Sequence, residues 1–305
     1  MQLGAVFPTN EIGNDPVAIR DWAQAAEALG FSTIITYDHV LGAVREGREP
    51  PLTGPYDEHD AFHEPFVLFG YLAASTTTIQ LQTGVLIAPQ RQTALIAKQA
   101  TEVDILSGGR LVLGLGTGWN YVEYEALGGE YTQRGRYLDE QVVVLRQLFR
   151  EPVIDYTGNF HRIDRAGLEP RPGRDIPIWF GGASAAALRR AARCGDGVLL
   201  TGAGRRTREL WEQLQGVLVA EQRSVDGFSV TAITDYAAGP DVWVEQRDAW
   251  EAAGAMQLAV STMNTDARRR GGAISGFTSP AEHIAALGRY AATMGAESTH
   301  GGPGA

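Results

Sequence analysis

Apolar residues in this chain switch period repeatedly. Short runs that are apolar at nearly every position, such as Leu111-Val-Leu-Gly-Leu115, alternate with longer stretches where apolar residues recur every three or four positions, such as Ile96, Ala100, Val103 and Leu106. The first pattern predicts strands covered on both faces, which belong to parallel sheets. The second predicts helices with one buried stripe. Residues 79–120 hold a complete unit: a strand over 79–84, a helix over 93–106, a tight Ser107-Gly-Gly-Arg110 turn and a strand over 111–115, with Gly-rich segments at both strand ends.

The alternation runs the length of the chain. Strands are expected at 3–7, 33–37, 79–84, 111–115, 176–180, 197–200, 229–234 and 256–261, with helices between them. The first helix is capped by Asp15 with Pro16 at its first position, buries Ile19, Trp22, Ala26 and Leu29, and stops at Gly30. Further helices are expected at 63–75, at 132–150 with Leu138, Val142, Leu145 and Phe149 inward, from Ser184 to Cys194, at 206–223 and at 242–253. The last opens on Ser279-Pro-Ala-Glu282, which has capping-box spacing. Two segments interrupt the rhythm. Residues 40–62 form a long loop with several Gly and Pro, of a length that is usually functional or mobile. Residues 153–156 and 160–163 read as a β-hairpin around Thr157-Gly-Asn159. Residues 1–296 are expected to form a single domain and 297–305 a disordered tail.

Eight strands alternating with helices predict an α/β fold of the (β/α)8 TIM-barrel type with an insertion, for which ~250 residues plus additions is usual. A doubly wound open sheet would place Gly-x-Gly-x-x-Gly after its first strand. Here Pro8-Thr-Asn-Glu11 follows that strand, and the sixth position of Gly114-Leu-Gly-Thr-Gly-Trp119 is tryptophan.

Composition narrows the function classes. A formal net charge of -10 argues against nucleic acid as a partner. Cys194 is the single cysteine, so no intrachain disulfide can form, and no apolar run approaches the ~20 residues of a membrane span. With no basic segment before the first strand, a cytoplasmic location is expected. Lys98 is the only lysine, which confines any Schiff-base chemistry to that position.

In a barrel of this kind the chemistry sits at the C-terminal ends of the strands. The residues there have no paired carboxylates and no nucleophile beside a base. They are rich in glycine and small hydroxyls, with one tryptophan, which suits a large flat ligand whose own chemistry does the work. The Gly181-Gly-Ala-Ser184 loop precedes a helix and offers free N–H groups to a phosphate, or only permits a sharp turn capped by Ser184. His39 is a candidate for proton transfer, the alternative being a structural histidine bonded to a carbonyl. Trp119 reads as a pocket wall. His59 and His63, with Asp57, Glu58 and Asp60, lie in a loop where i,i+4 spacing imposes no common face, so no metal site is expected.

Five motifs in order carry a resemblance: Tyr37-Asp-His39, Thr83-Gly-Val85, Asp104-Ile-Leu-Ser-Gly-Gly-Arg110, Leu113-Gly-Leu-Gly-Thr-Gly-Trp-Asn120 and Ile178-Trp-Phe-Gly-Gly182. Together they resemble the bacterial luciferase-like monooxygenase superfamily over nearly the whole chain, and more closely its coenzyme F420-dependent oxidoreductase branch. The resemblance implies a flavin-like ring in the barrel mouth and a non-prolyl cis peptide at Gly84-Val85 propping it. His39 would lie near the reactive carbon, with Trp119 and Val85 setting ring position. Cofactor contacts are expected from Asp38, Thr83, Gly84, Val85, Thr117, Gly118, Asn120, Gly181, Gly182, Ala183, Ser184 and Thr201. Relatives acting on sugar phosphates carry a glutamate where Trp119 stands and use lysines for the phosphate, so a sugar phosphate is not the expected substrate. The expected activity is hydride transfer between C5 of F420 and a small molecule: an activated C=C, C=N or C=O, or an alcohol. The alternatives are an FMN-dependent, oxygen-using monooxygenase, or a protein that binds flavin without turnover. A homodimer is implied by the resemblance alone.

Overall fold

The structure is a computed structural model, and the residues it describes are 1–265 and 273–296. The expected tail, 297–305, lies outside them. The strands are β1 (Gln2–Val6), β2 (Thr33–Thr36), β3 (Gln80–Thr83), β4 (Leu86–Ile87), β5 (Leu111–Gly116), β6 (Ile154–Thr157), β7 (Arg162–Ala166), β8 (Ile178–Gly181), β9 (Gly197–Thr201), β10 (Ser229–Asp235) and β11 (Gln257–Ser261). The helices are α1 (Pro16–Ala28), α2 (Pro65–Ser75), α3 (Thr93–Leu106), α4 (Tyr121–Ala126), α5 (Arg134–Arg150), α6 (Ala185–Cys194), α7 (Arg205–Ala220), α8 (Pro240–Ala252) and α9 (Pro280–Met294).

The parallel strands run β3-β2-β1-β11-β10-β9-β8-β5, and the pairing of β3 with β5 closes them into the expected eight-position barrel. The third position is split. The strand expected over 79–84 ends at Thr83, passes through a cis Gly84-Val85 peptide, and resumes as β4 against Leu115 and Gly116 of β5. β6 and β7 form the expected antiparallel hairpin, inserted between α5 and β8. It is held to α5 by the Glu140 carboxylate, which accepts from the N–H groups of Asn159, Phe160 and His161.

Two differences from expectation concern helix starts. The helix expected from 132 begins as a 3-10 turn, and α5 proper starts at Arg134. At the last helix Ser279 Oγ donates to Glu282 rather than capping, and the Glu282 carboxylate reaches back to the Thr278 N–H.

Large apolar side chains fill the layer between barrel and helices, Trp22, Phe69, Trp211 and Trp250 among them, all almost fully buried. The barrel interior is layered differently. Its floor is polar: Gln257 Nε2 donates to Thr33 Oγ1 at 2.8 Å, Thr231 Oγ1 donates to Gln257 Oε1 at 2.9 Å, and Thr33 Oγ1 donates to Gln80 Oε1 at 3.2 Å. Above it lies a small apolar layer of Val6, Ile35, Leu199, Ile233 and Ala259. The period of two then brings Tyr37, Thr201, Asp235 and Ser261 to the mouth.

The Asp104-to-Arg110 motif acts at the opposite end from the mouth. Asp104 accepts from Arg174 at 2.6 Å, and Arg110 donates to the carbonyls of Ala73, Thr76 and Ile79. These contacts tie α2 and α3 to the barrel, which is the stabilising face of such folds.

β3 and β5 approach so closely that a Cβ on Gly114 would lie 2.0 Å from the Thr83 carbonyl oxygen. Gly114→Ala is therefore expected to cost about 1–3 kcal/mol in urea unfolding. Gly70→Ala, inside α2 with open space around it, is expected to stabilise by about 0.5–1 kcal/mol.

Glu27 ties α1 to the start of β3 by accepting from the N–H groups of Thr77, Thr78 and Ile79. Burial pushes its carboxyl up, but those bonds outweigh burial and hold it below the ordinary value of 4.5. Its stabilisation is thus present above pH 4.5 and lost as pH falls through the lowered folded value. Glu27→Gln should cost about 1–3 kcal/mol at neutral pH. The difference from the unmodified protein should shrink as the pH of the unfolding experiment is taken below 4.5.

Candidate active site

Three strand ends converge on Val85. A Cβ on Gly116, at the end of β5, would meet Val85 Cγ2 at 2.3 Å, and one on Gly181, at the end of β8, would meet Val85 Cγ1 at 2.6 Å. The two glycines thus leave the space that the Val85 side chain fills. In front of them opens a cavity of about 670 Å³, within the range of small-molecule sites. Its walls are largely apolar and glycine-rich. They include His39, Gly84, Val85, Thr117, Trp119 and Gly182, closed above by Arg45, Gly54, Pro55 and Tyr56 of the 40–62 loop.

That loop is tied down at several points. Arg45 Nη2 donates to the carbonyls of Gly54 (2.6 Å) and Tyr56 (2.9 Å), and Tyr121 OH donates to Pro50 O at 2.7 Å. Gly54 lies against the Trp119 ring, where a Cβ would come within 2.3 Å of ring carbon. His39 sits among aromatic rings, with centroids of Phe62, Tyr56 and Trp119 at 4.9, 5.2 and 5.4 Å. A second, more polar cavity of about 320 Å³ adjoins the first and shares Tyr37, Tyr56 and Thr201 with it; Asn10, Asp235 and Ser261 line its far side.

Two buried carboxylates set the geometry of the β2 end. Asp38 accepts from Ile87 N at 2.8 Å and from Arg91 Nη2 at 2.7 Å, and Arg91 also donates to Glu64 at 2.8 Å. It therefore joins β2 to the segment beyond the cis peptide. Glu123, on α4, places Oε2 3.2 Å from His39 Nδ1 and accepts from the N–H groups of Val40 and Leu41 and from Gln90. Burial alone would raise the Glu123 carboxyl, but the contact with His39 and those N–H donors outweigh it and hold it below the ordinary range.

Of the residues expected at the site, the cavity gathers Asp38, His39, Gly84, Val85, Thr117, Gly118, Trp119, Gly181, Gly182 and Thr201. Four others do not line it. Thr83 is buried and donates to Gly114 O at 2.7 Å, stapling β3 to β5. Asn120 is buried and caps α4, accepting from Val122 N and Glu123 N. Ser184 caps α6 through Ala187 N, and Ala183 precedes it outside the cavity wall. The turn-and-cap alternative for Ser184 is what the structure displays.

Tyr37, Arg45, Tyr56 and Glu123 were not anticipated. Tyr37 follows Thr33 and Ile35 at the period of two and could have been read from it. Glu123 carried a signal too, since Asn120-x-x-Glu123 has capping-box spacing. The helix is there, but the carboxylate turns to His39 instead of to its own cap. Arg45 and Tyr56 lie in the aperiodic loop.

Among the described residues no group of three His, Cys, Asp or Glu side chains could hold a metal ion. His59 pairs with Glu58 in solvent, and His63 Nε2 contacts Gly13 O at 3.2 Å. Lys98 pairs with Glu102 and donates to Glu169 O, away from the cavity. No helix among the described residues is long and apolar enough to cross a membrane.

Comparison with known proteins bears on this arrangement directly. The family model described as luciferase-like monooxygenase matches residues 1–300. The chain belongs to the luciferase-like monooxygenase family. An uncharacterized Mycobacterium tuberculosis (strain H37Rv) protein is 36% identical over 175 residues, 56% of this chain and 61% of the relative. The pyrimidine monooxygenase RutA of Rhizobium rhizogenes is 31% identical over 214 residues, 67% of this chain and 56% of the relative. The F420-dependent glucose-6-phosphate dehydrogenase of Nakamurella multipartita is 30% identical over 189 residues, 61% of this chain and 52% of the relative. The chain thus spans less than two thirds of the length of each of these relatives. Among solved structures, the coenzyme F420 dependent tetrahydromethanopterin reductase from Methanopyrus kandleri superposes with a TM-score of 0.69 at 16% identity, covering 95% of this chain and 97% of that one. An F420-dependent secondary alcohol dehydrogenase in complex with an F420-acetone adduct superposes with a TM-score of 0.67 at 17% identity, covering 97% and 84%. At these identities the structures share the fold with this family member.

In this luciferase-like protein the Asp38 side chain is fully buried and that of Arg91 is 14% exposed. Arg91→Ala would leave the Asp38 charge unpaired, and a loss of about 3–5 kcal/mol is expected in urea unfolding followed by tryptophan fluorescence. Asp38→Asn combined with Arg91→Met should recover much of that loss.

Proposed function

We propose that this protein is an F420-dependent oxidoreductase transferring a hydride between the deazaflavin and a small organic substrate. The observation that carries this reading is His39, placed at the cavity and paired with Glu123 beside the Val85 cradle. Moving a hydride to or from a carbon–heteroatom bond requires a proton to move with it, and an imidazole in reach of the ring is the group for that. The named F420-dependent relatives and structures support the deazaflavin; RutA, named as a monooxygenase, supports the oxygen-using enzyme as the second reading.

The cavity fits a flat tricyclic ring. Its volume is about 670 Å³, its floor is the Val85 side chain between Gly116 and Gly181, and its outer wall is Trp119. Gly84, Val85, Gly116 and Gly181 would support the ring, and Trp119 would limit its tilt. Thr117, Gly118, Gly182 and Thr201 would bind the chain leading from it. When bound, the cofactor supplies a carbon that accepts or donates a hydride. Arg45, Gly54, Pro55 and Tyr56 of the 40–62 loop would help exclude water from the occupied cavity. The polar cavity beyond Tyr37, Tyr56 and Thr201 would take the substrate; Tyr56, which lines both cavities, packs against His39 with 5.2 Å between ring centroids. His39 would hold or release the proton. No lysine lines either cavity, which agrees with a substrate other than a sugar phosphate. A homodimer in the cytoplasm belongs to the same proposal.

Parallel fluorescence titrations with F420 and FMN test the reading. F420 is expected to bind at least ten-fold more tightly; the reverse order would move the protein to the oxygen-using branch. With F420 bound, a panel of secondary alcohols, enones and imines should reveal a substrate that changes cofactor absorbance. His39→Ala should then lower turnover about 10²–10⁴-fold while cofactor affinity stays within about two-fold. Turnover unchanged by that substitution would remove His39 from the reaction.

A further inference from the structure

Glu123 is the most enclosed carboxylate at the mouth after Asp38. Its side chain is 1% exposed, and it reaches His39 from a helix outside the motifs that carry the family resemblance. Asp38 already has Arg91 as its counter-charge; among the described residues the one titratable group within ion-pair distance of Glu123 is His39. We infer that Glu123 is the positioning residue for His39, holding the imidazole with its proton on Nδ1 so that Nε2 presents its lone pair to the cavity.

The geometry argues this in three steps. Glu123 Oε2 lies 3.2 Å from Nδ1 and is already an acceptor from Gln90 Nε2 at 3.1 Å. A carboxylate held below its ordinary range has no proton to donate, so the Nδ1 side of the contact must carry the hydrogen. The other oxygen accepts from the N–H groups of Val40 and Leu41, the residues that follow His39 directly. The same carboxylate therefore fixes both the ring and the backbone that bears it. Glu123 itself cannot swing away: Asn120 caps its helix and also donates to Leu41 O at 3.4 Å. A second acceptor on the far nitrogen of a histidine is the usual means of choosing its tautomer. Free imidazole favours the proton on Nε2, so an Nδ1–H form needs such a partner.

For the reaction this assigns a direction to the proton. In alcohol oxidation the hydroxyl proton would pass to Nε2 while the hydroxyl-bearing carbon gives its hydride to an oxidised deazaflavin, leaving a carbonyl and an imidazolium. That imidazolium is stabilised by the carboxylate behind it. In reduction the same proton returns to the new alkoxide. This part rests on the proposed function; the tautomer does not.

The test uses full-length protein containing ¹⁵N-labelled histidine, without cofactor, at about pH 8.5, above the ordinary imidazole range. The His39 signals are found among the six histidines by comparison with His39→Gln. The expected spectrum has a protonated, pyrrole-like Nδ1 and an unprotonated, pyridine-like Nε2. In Glu123→Gln, whose amide can either donate or accept, the two forms should mix. The opposite tautomer in the unmodified protein overturns the inference, as does an Nδ1–H form that persists unmixed in Glu123→Gln. With a substrate in hand, Glu123→Gln should lower kcat about 10–100-fold with KM and cofactor affinity nearly unchanged. A loss of folding stability with no change in tautomer would mean that Glu123 only holds the loop, and would overturn the inference too. Failure of both cofactors to bind, with the tautomer as expected, would reject the proposed function and leave the histidine geometry standing.

Discussion

Everything at the mouth depends on how closely three strand ends are allowed to approach. Gly114, Gly116 and Gly181 each occupy a place where a Cβ would collide, with the Thr83 carbonyl in the first case and with Val85 in the other two. Without them β3 could not pair with β5 below the bulge, and Val85 could not sit between β5 and β8 above it. Glycine in a strand normally weakens packing. Here the backbone contact it permits turns a strand end into a ledge.

The two buried carboxylates share this small volume but are distinguished by their partners. Asp38 faces a permanent cation, Arg91, and the N–H of Ile87, so it behaves as a strut between β2 and β4. Glu123 faces an ionisable ring and an amide, so it remains responsive to what happens at His39. One adjacent pair in the sequence, Asp38 and His39, thus takes two different partners, a permanent cation and a carboxylate, although both residues line the cavity.

How much could be read from the residues depended on the range of the interaction involved. The barrel was legible because each strand and helix advertises itself within a few residues: fully apolar runs such as 111–115, the Asp15-Pro16 start of α1, the Ser184 cap of α6. The strand-end glycines were legible as positions at the barrel mouth because they recur after β3, β5 and β8, and Gly84, Gly116 and Gly181 line the cavity there. What stayed hidden was long-range. Glu123 and His39 are 84 positions apart, and nothing local in Tyr121-Val-Glu-Tyr says that its glutamate turns away from its own helix cap. Arg45 and Tyr56 lie in a loop with no period. Asn120 and Thr83 do not line the cavity for the converse reason: a polar residue beside a glycine-rich strand end looks like a ligand contact, and here each bonds to backbone. The polar barrel floor was equally invisible, since Gln80 and Gln257 open strands that otherwise read as largely apolar.

That floor has a consequence for traffic. Gln257, Thr33, Thr231 and Gln80 bolt the lower end of the barrel with a mesh of mutual hydrogen bonds, and a tight apolar layer lies on top of it. Among the described residues the cavity against Val85 therefore lies at the other end, beneath residues 40–62. A molecule lodged there would leave by the side it entered, past anything seated between it and that roof. With the base sealed, any order of arrival and departure would be set at the mouth.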